Sequence, residues 1–340
     1  PDLRRDNNKS RRGRFELSVG ESVLDVIGNT PIVRLGRIGS GLRPRIYAKL
    51  EFMNPGGSVK DRIASYLVAD AEKRRVLRKG GTIIEPTSGN TGVGLAILAA
   101  VRGYKVIFTM PDKVSDEKRA LLRAYGAKIV IAPTELPPTS PAHYVNVAKR
   151  LQKETPGSFM PNQYQNEGNP KAHYATTGPE IWRQTKGKVD ALVAGVGTGG
   201  TISGAGRYLK KMKRSLLVAG VEPEGSIYAN LKHGTTDPLH PYLVEGIGED
   251  FVPGTYDQTV VDEIIRVSDA ESIATAKRLV LEEGIFAGGS SGTAVAGAIE
   301  LAAKKPSLKL IVVIIPDSGR SYLSKIYDPG WLKSRGVSEA

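Results

Sequence analysis

The chain has 340 residues, 40% of them hydrophobic and 24% charged, which is a globular composition long enough for one large or two medium domains. With no cysteine it can have no disulfide, thiolate metal site or cysteine nucleophile, and its four scattered histidines have no ligand spacing, so no metal is expected. The formal charge of +13 suits anionic small molecules, and no apolar run reaches bilayer length, so no membrane association is expected.

Residues 1–14 carry six Lys/Arg against two Asp and almost nothing apolar, and read as a disordered basic arm. This polar start shows no signal peptide, and a cytoplasmic protein is expected. Strand patterns follow at 45–50, 82–85, 105–109, 128–132, 191–195, 216–221 and 309–315. They are short, apolar and β-branched, as strands buried on both faces of a parallel sheet are. Helical patterns fall between them, at 61–73, 92–101, 116–125, 143–153, 177–184, 202–213, 269–283 and 293–304. The alternation predicts an α/β fold. The Pro-rich stretch 133–141 and the polar stretch 157–170 read as loops, the second as a domain boundary. Basic runs at 73–75 and 210–214 lie on helical faces without interleaved aromatics, so no nucleic acid is expected as a partner.

Four motifs sit on strand-to-helix turns, where open α/β sheets bind ligands. Gly56-Gly57-Ser58-Val59-Lys60-Asp61-Arg62 places one lysine after a glycine turn. Read plainly, it is a helix start with Ser58 as N-cap and Lys60 in water. Read chemically, a lysine inside a pocket loses its proton and can attack a carbonyl, as a Schiff-base lysine does. Pro86-Thr87-Ser88-Gly89-Asn90-Thr91-Gly92 offers hydroxyls, an amide and free N–H groups at a helix N-terminus, either a capped turn or an anion site. Gly195-Val196-Gly197-Thr198-Gly199-Gly200-Thr201 reads as a phosphate cradle. It also matches G-x-G-x-x-G, with Glu222 about 20 residues on as a ribose-binding acid would be, so an NAD-binding dehydrogenase is a rival. Pro316-Asp317-Ser318-Gly319-Arg320 presents a small hydroxyl at a strand end; alone, it reads as a cap for the next helix. One lysine, two anion sites and a hydroxyl together suit a phosphate-bearing aldehyde cofactor holding an amino acid, that is, pyridoxal 5′-phosphate (PLP).

These motifs, in this order from about Ile27 to Trp331, resemble the β-family (fold type II) of PLP enzymes, the group containing cysteine synthase and cystathionine β-synthase. The resemblance implies a tryptophan-synthase-β-like fold of two α/β domains, each a mostly parallel twisted sheet flanked by helices. The smaller, mobile domain would span 46–159 and the larger 15–45 plus 160–335. It implies a homodimer as well. Lys60 would bond the cofactor aldehyde and shuttle protons. Asn90 would bind the ring oxygen, Gly197, Thr198, Gly199, Gly200 and Thr201 the phosphate, and Ser318 the pyridine nitrogen. Thr87, Ser88, Thr91 and Gln163 match the positions that hold the substrate α-carboxylate, with Tyr164 and Gly246 also beside the substrate.

Asn162-Gln163-Tyr164, Glu245-Gly246-Ile247-Gly248 and the stretch 316–325, with Trp331, are similar to the cystathionine β-synthase branch. That branch condenses L-serine with L-homocysteine to cystathionine, the transsulfuration route to cysteine. The nearest alternative is the O-acetylserine- and sulfide-using cysteine synthase branch. Animal members of the first branch have a tyrosine where Glu249 stands, so this glutamate bears on the second substrate. Those members also bind haem through a cysteine and a histidine; without cysteine, no haem is expected here. No paired regulatory repeats are expected after Trp331.

Overall fold

The computed structural model describes residues 19–337; the arm read over 1–14 lies outside them. In chain order come β1 (Ile32–Arg34), β2 (Arg45–Leu50), α1 (Lys60–Lys73), β3 (Thr82–Pro86), α2 (Asn90–Arg102), β4 (Lys105–Pro111), α3 (Asp116–Ala124), β5 (Lys128–Ala132), α4 (Tyr144–Glu154) and β6 (Ser158–Phe159). Then follow α5 (Gly168–Ala175), α6 (Thr177–Gln184), β7 (Ala191–Gly195), α7 (Gly200–Met212), β8 (Leu217–Pro223), α8 (Tyr228–His233), β9 (Glu263–Val267), α9 (Asp269–Glu283), α10 (Gly289–Lys304), β10 (Leu310–Ile315) and α11 (Pro329–Ser334).

The strands form two sheets. One has six strands in the order β1-β2-β10-β7-β8-β9, parallel except for β1 against β2. The other has four parallel strands in the order β5-β4-β3-β6. The apolar run of β10 is explained by its central place between β2 and β7. Its alternate side chains serve two cores. Ile311, Val313 and Ile315 pack with Ala294, Val295 and Leu301 of α10 on one face. Val312 and Ile314 pack with Ile181 of α6 and Ile202 and Leu209 of α7 on the other. Each such buried side chain stabilises the fold by about 2 kcal/mol. The smaller sheet has its own core, with Ile83, Phe108 and Met110 against Val68, Leu95 and Leu98.

All seven strands expected from the sequence are present, with small shifts at their ends. Three others are present that the sequence reading did not include. β1 and β6 are too short to show a pattern, and β9 (EIIRV) lies at the edge of the larger sheet. The stretch 157–170, read as loop, carries β6 and the first turn of α5. Residues 46–50, assigned above to the smaller domain, belong to β2 and pair with β10 in the larger sheet, so the four-stranded sheet draws nothing from them.

A wholly buried set of charges fastens the start of α1 to the larger sheet. Arg62 bonds Glu51 (2.6 Å) and Glu180 (2.7 Å), and Lys49 of β2 bonds Glu180 (2.7 Å). Burial pulls the Lys49 ammonium down despite its acid partners, while Arg62 is pushed up and Glu180 is held at about 2 by the two cations. No described helix is long and apolar enough to cross a membrane.

Candidate active site

The site begins where β10 ends. The Val59 amide donates to the Pro316 carbonyl (2.8 Å), and Ser58 forms a bridge with Asp317, so the chain enters α1 alongside the carboxyl edge of the larger sheet. The Lys60 amide donates to Ser58 Oγ (3.1 Å), so Ser58 does satisfy one early N–H. Asp61 folds back instead onto the Gly56 amide (2.5 Å). The Lys60 side chain does not run into bulk water. It is half-buried and lines a cavity with Asn90, Thr198 and Asp317. Burial pulls its ammonium down, partly offset by the charges of Asp317 and Glu249, which makes a neutral amine accessible.

One side of the cavity is the loop before α7. The Gly197 carbonyl accepts from the Tyr228 hydroxyl, and the Thr198 carbonyl accepts from Thr255 Oγ1 (2.5 Å). Because a peptide's N–H points opposite its C=O, pinning these carbonyls backwards turns the next amides forwards. The main-chain N–H groups of Gly197, Thr198, Gly199 and Thr201 make no hydrogen bond among the described residues. These four residues line a recess next to Lys60. Gly200 lies behind it: a Cβ there would sit 1.9 Å from Asn169 Oδ1, so only glycine allows that approach. The Thr201 hydroxyl lies 3.2 Å from His173 Nε2; burial, then the Arg62 and Lys60 charges, hold that imidazole neutral.

Opposite lies the loop between β3 and α2. Thr87, Ser88 and Thr91 line the cavity there, and the amides of Ser88, Asn90 and Thr91 have no partner among the described residues. Thr91 Oγ1 donates to Gln163 Oε1 (2.6 Å), so its hydroxyl hydrogen is already committed. Asn90 Nδ2 donates to Asp317 Oδ2 (2.8 Å), which also accepts from the Tyr322 hydroxyl (2.6 Å); Oδ1 of this buried acid is unpartnered.

The structure thus brings Lys60, Thr87, Ser88, Asn90, Thr91, Gln163, Tyr164, Thr198 and Gly246 around one cavity, with Gly197, Gly199 and Thr201 in the adjoining recess. Ser318 is half-buried and is not among the lining residues. Its oxygen accepts from the Arg320 amide (3.3 Å) and caps the next turn, while its neighbour Asp317 faces the cavity. Tyr144 and Lys118 also line the cavity, and neither stood out in the sequence. Lys118 bonds Glu245 (2.8 Å), which also pairs with Lys325, so the rim is tied across by charge. Glu249 is a lining residue pushed up to about 7, chiefly by burial and against the pull of the Tyr164 hydroxyl.

The dehydrogenase reading fails on Glu222. It is fully buried, accepts from the Tyr228 (2.7 Å) and Ala229 (2.9 Å) amides, and bonds Arg266 Nε (3.0 Å). Three of its acceptor sites are taken by the protein, and full burial keeps the carboxylate from facing a ribose. PLP, in contrast, fits the residues present: forward-facing amides suit a phosphate, a desolvated lysine beside them suits an aldehyde, and unpartnered amides at the N-terminus of α2 suit a carboxylate.

Comparison with known proteins agrees. The chain is 50% identical over 316 residues to a cystathionine β-synthase of Apis mellifera, covering 92% of this chain and 62% of that protein. It is 44% identical over 327 residues to the Saccharomyces cerevisiae enzyme of the same name, covering 93% and 64%. A cysteine synthase of Staphylococcus aureus is 42% identical over 306 residues, covering 89% of this chain and 96% of its own. The chain thus spans about three fifths of the cystathionine β-synthases it matches. The crystal structure of a hydrogen sulfide-producing enzyme from Fusobacterium nucleatum superposes with a TM-score of 0.83 at 37% identity, covering 89% of this chain and 98% of that one. The sequence model described as "Pyridoxal-phosphate dependent enzyme" matches residues 23–317, and the chain belongs to that family.

Proposed function

We propose that this protein catalyses a PLP-dependent β-replacement, joining the carbon skeleton of L-serine to the sulfur of L-homocysteine to give cystathionine. The observation that carries the reading is Lys60, desolvated at the start of α1 with an anion cradle on either side. When bound, PLP supplies an electron sink conjugated to the substrate's α-carbon. Gly197, Thr198, Gly199 and Thr201 hold its phosphate through their free amides, and Gly200 permits the tight packing behind them. Asn90 has a second amide hydrogen left for the ring oxygen. The Ser318 hydroxyl, whose oxygen already accepts a main-chain amide, has its hydrogen left for the pyridine nitrogen.

Lys60 would hold the cofactor through its Nζ, and as a neutral amine that Nζ would take the proton from the substrate α-carbon. The same Nζ then delivers a proton to the departing β-hydroxyl. Thr87, Ser88 and the Gln163 amide orient the substrate carboxylate, and Thr91 contributes its main-chain N–H. Tyr164 and Gly246 complete the substrate side of the wall.

The two sheets are proposed to be two units that close on the substrate and exclude water, the smaller beginning after β2. A homodimer and a cytoplasmic location belong to the same proposal. Exposed Val23, Val26 and Met53 are apolar surface that a second copy would cover, and sedimentation of the purified protein tests the dimer.

One observation favours a second reading. Glu249, a carboxyl near Lys60 with no cation partner among the described ion pairs, disfavours an incoming amino acid that brings its own carboxylate, and the cysteine synthase relative matches along nearly its whole length. The deciding experiment is a mass-spectrometric product assay pairing L-serine or O-acetylserine with homocysteine or sulfide. Cystathionine from serine and homocysteine as the fastest pair supports the proposal. Cysteine from O-acetylserine and sulfide, with little cystathionine, transfers the chain to the second reading.

A further inference from the structure

We propose that Glu85 is a positioning residue for the substrate carboxylate, acting through Gln163. Glu85 lies in β3, just before the Thr87–Thr91 loop, and is 1% exposed. It forms no ion pair among the described residues. Its two oxygens accept instead from two successive main-chain amides, Asn162 to Oε2 (2.8 Å) and Gln163 to Oε1 (3.1 Å). A buried carboxylate without a cation is expensive, so its retention needs an explanation. Both neighbours are donors. Burial pushes the Glu85 carboxyl up to about 7 against the pull of the two amides, and a carboxamide would turn a donor of its own towards one of them, so the grip is complete only in the ionised form.

What the grip holds is one peptide. Asn162 is in the left-handed backbone region (φ 51°), a conformation an unrestrained asparagine leaves readily. The Gln163 carbonyl accepts from Asn169 Nδ2 (2.8 Å), which also reaches Thr198 Oγ1 (3.1 Å) in the loop before α7. The Gln163 side chain is fixed in turn. The Thr91 hydroxyl donates to Oε1. That leaves Nε2, with both hydrogens, as the one polar group of Gln163 without a partner among the described residues. Gln163 lines the cavity. Glu85 thus spends a buried charge to aim a two-hydrogen donor, and it also joins the smaller sheet to the segment that leads into the other half of the site.

This inference rests on the reading that the site holds an amino acid by its carboxylate. Its test is steady-state kinetics of the holoenzyme with L-serine or O-acetylserine, whichever is turned over, for Glu85→Gln, Gln163→Ala and the double variant. Each single change is expected to raise KM for the amino acid on the order of tenfold to a hundredfold, the loss of a hydrogen bond to a charged group, with a smaller change in kcat. The double variant is expected to be no worse in KM than Gln163→Ala alone, because Glu85 acts through that side chain. Effects that multiply, or an unchanged KM in Glu85→Gln alone, overturn the inference while the carboxylate site stands. An unchanged KM in Gln163→Ala overturns the carboxylate site and the inference with it. Residue-resolved amide hydrogen exchange on the unmodified holoenzyme needs no variant to fold. Slow exchange at both Asn162 and Gln163 supports the grip, and fast exchange at both overturns it.

Discussion

Replacing Glu180 by glutamine tests how the lysine-bearing helix is held. Glu180 accepts from Lys49 Nζ (2.7 Å), Arg62 Nη1 (2.7 Å) and Arg62 Nη2 (2.8 Å), and its partners' side chains are 0% and 1% exposed. Holding this carboxyl at about 2 instead of 4.5 favours the folded state, by about 3 kcal/mol. Removing one partner of a buried ion network costs about 3–5 kcal/mol by itself. Lys49 can escape by shedding its proton but Arg62 cannot, so the loss should fall within that range. At about 2 °C per kcal/mol for a chain of this size, Glu180→Gln should unfold roughly 6–10 °C below the parent at pH 7 in a thermal scan followed by circular dichroism. The sign with pH follows from a depressed folded-state value. The parent's advantage is complete above 4.5 and disappears as pH falls from there towards about 2. Adding Lys49→Met removes the orphaned ammonium and should recover part of the loss. Unfolding midpoints within about 2 °C of each other at pH 7, or a gap that stays constant down to pH 3, would refute the reasoning.

Three further outcomes are expected. Lys60→Ala should retain PLP that washes out on dialysis, while turnover falls by roughly a thousandfold or more; appreciable turnover would remove Lys60 from the chemistry. Thr255→Val releases the Thr198 carbonyl, and the loss of about 1 kcal/mol should weaken PLP binding to the apoprotein roughly fivefold, with an unaltered affinity counting against the backward-pinned loop. Glu249 gains its charge as pH rises through about 7, so KM for an anionic second substrate should climb across that range. In Glu249→Gln the same profile should be flat, and an identical rise in both proteins would clear Glu249 of any part in it.

The layer architecture was legible because burial on both faces leaves its mark in composition. β10 reads LIVVII, and no solvent-facing position interrupts it. Where the pattern failed, tertiary contact had decided the conformation. α5 starts Gly-Asn-Pro, a loop signal, but it packs along α7 so closely that a Cβ on Gly204 would sit 2.0 Å from the Pro170 carbonyl. The free helix propensity of those residues is overridden by what lies beneath them. The lysine and the two loops were legible for another reason, since unusual runs of glycine and small polar residues on successive strand ends have few uses other than holding an anion.

What could not be read was direction. Thr91 and Gln163 were both expected, from the resemblance, beside the substrate carboxylate, but their mutual hydrogen bond makes Thr91 the donor and leaves the Gln163 amide nitrogen for a ligand. That division depends on Glu85 in β3 and Asn169 in α5, and neither carries a motif of its own. The same holds for Asp317 and Ser318, adjacent in sequence. The bridge of Ser58 to Asp317 and that of Ala287 to Ser318 place the two residues between different neighbours, and the acid is the one on the cavity wall. Residue type shows which chemistry is available. The hydrogens left over after every internal bond is made show what a ligand would meet, and they follow only from the assembled fold.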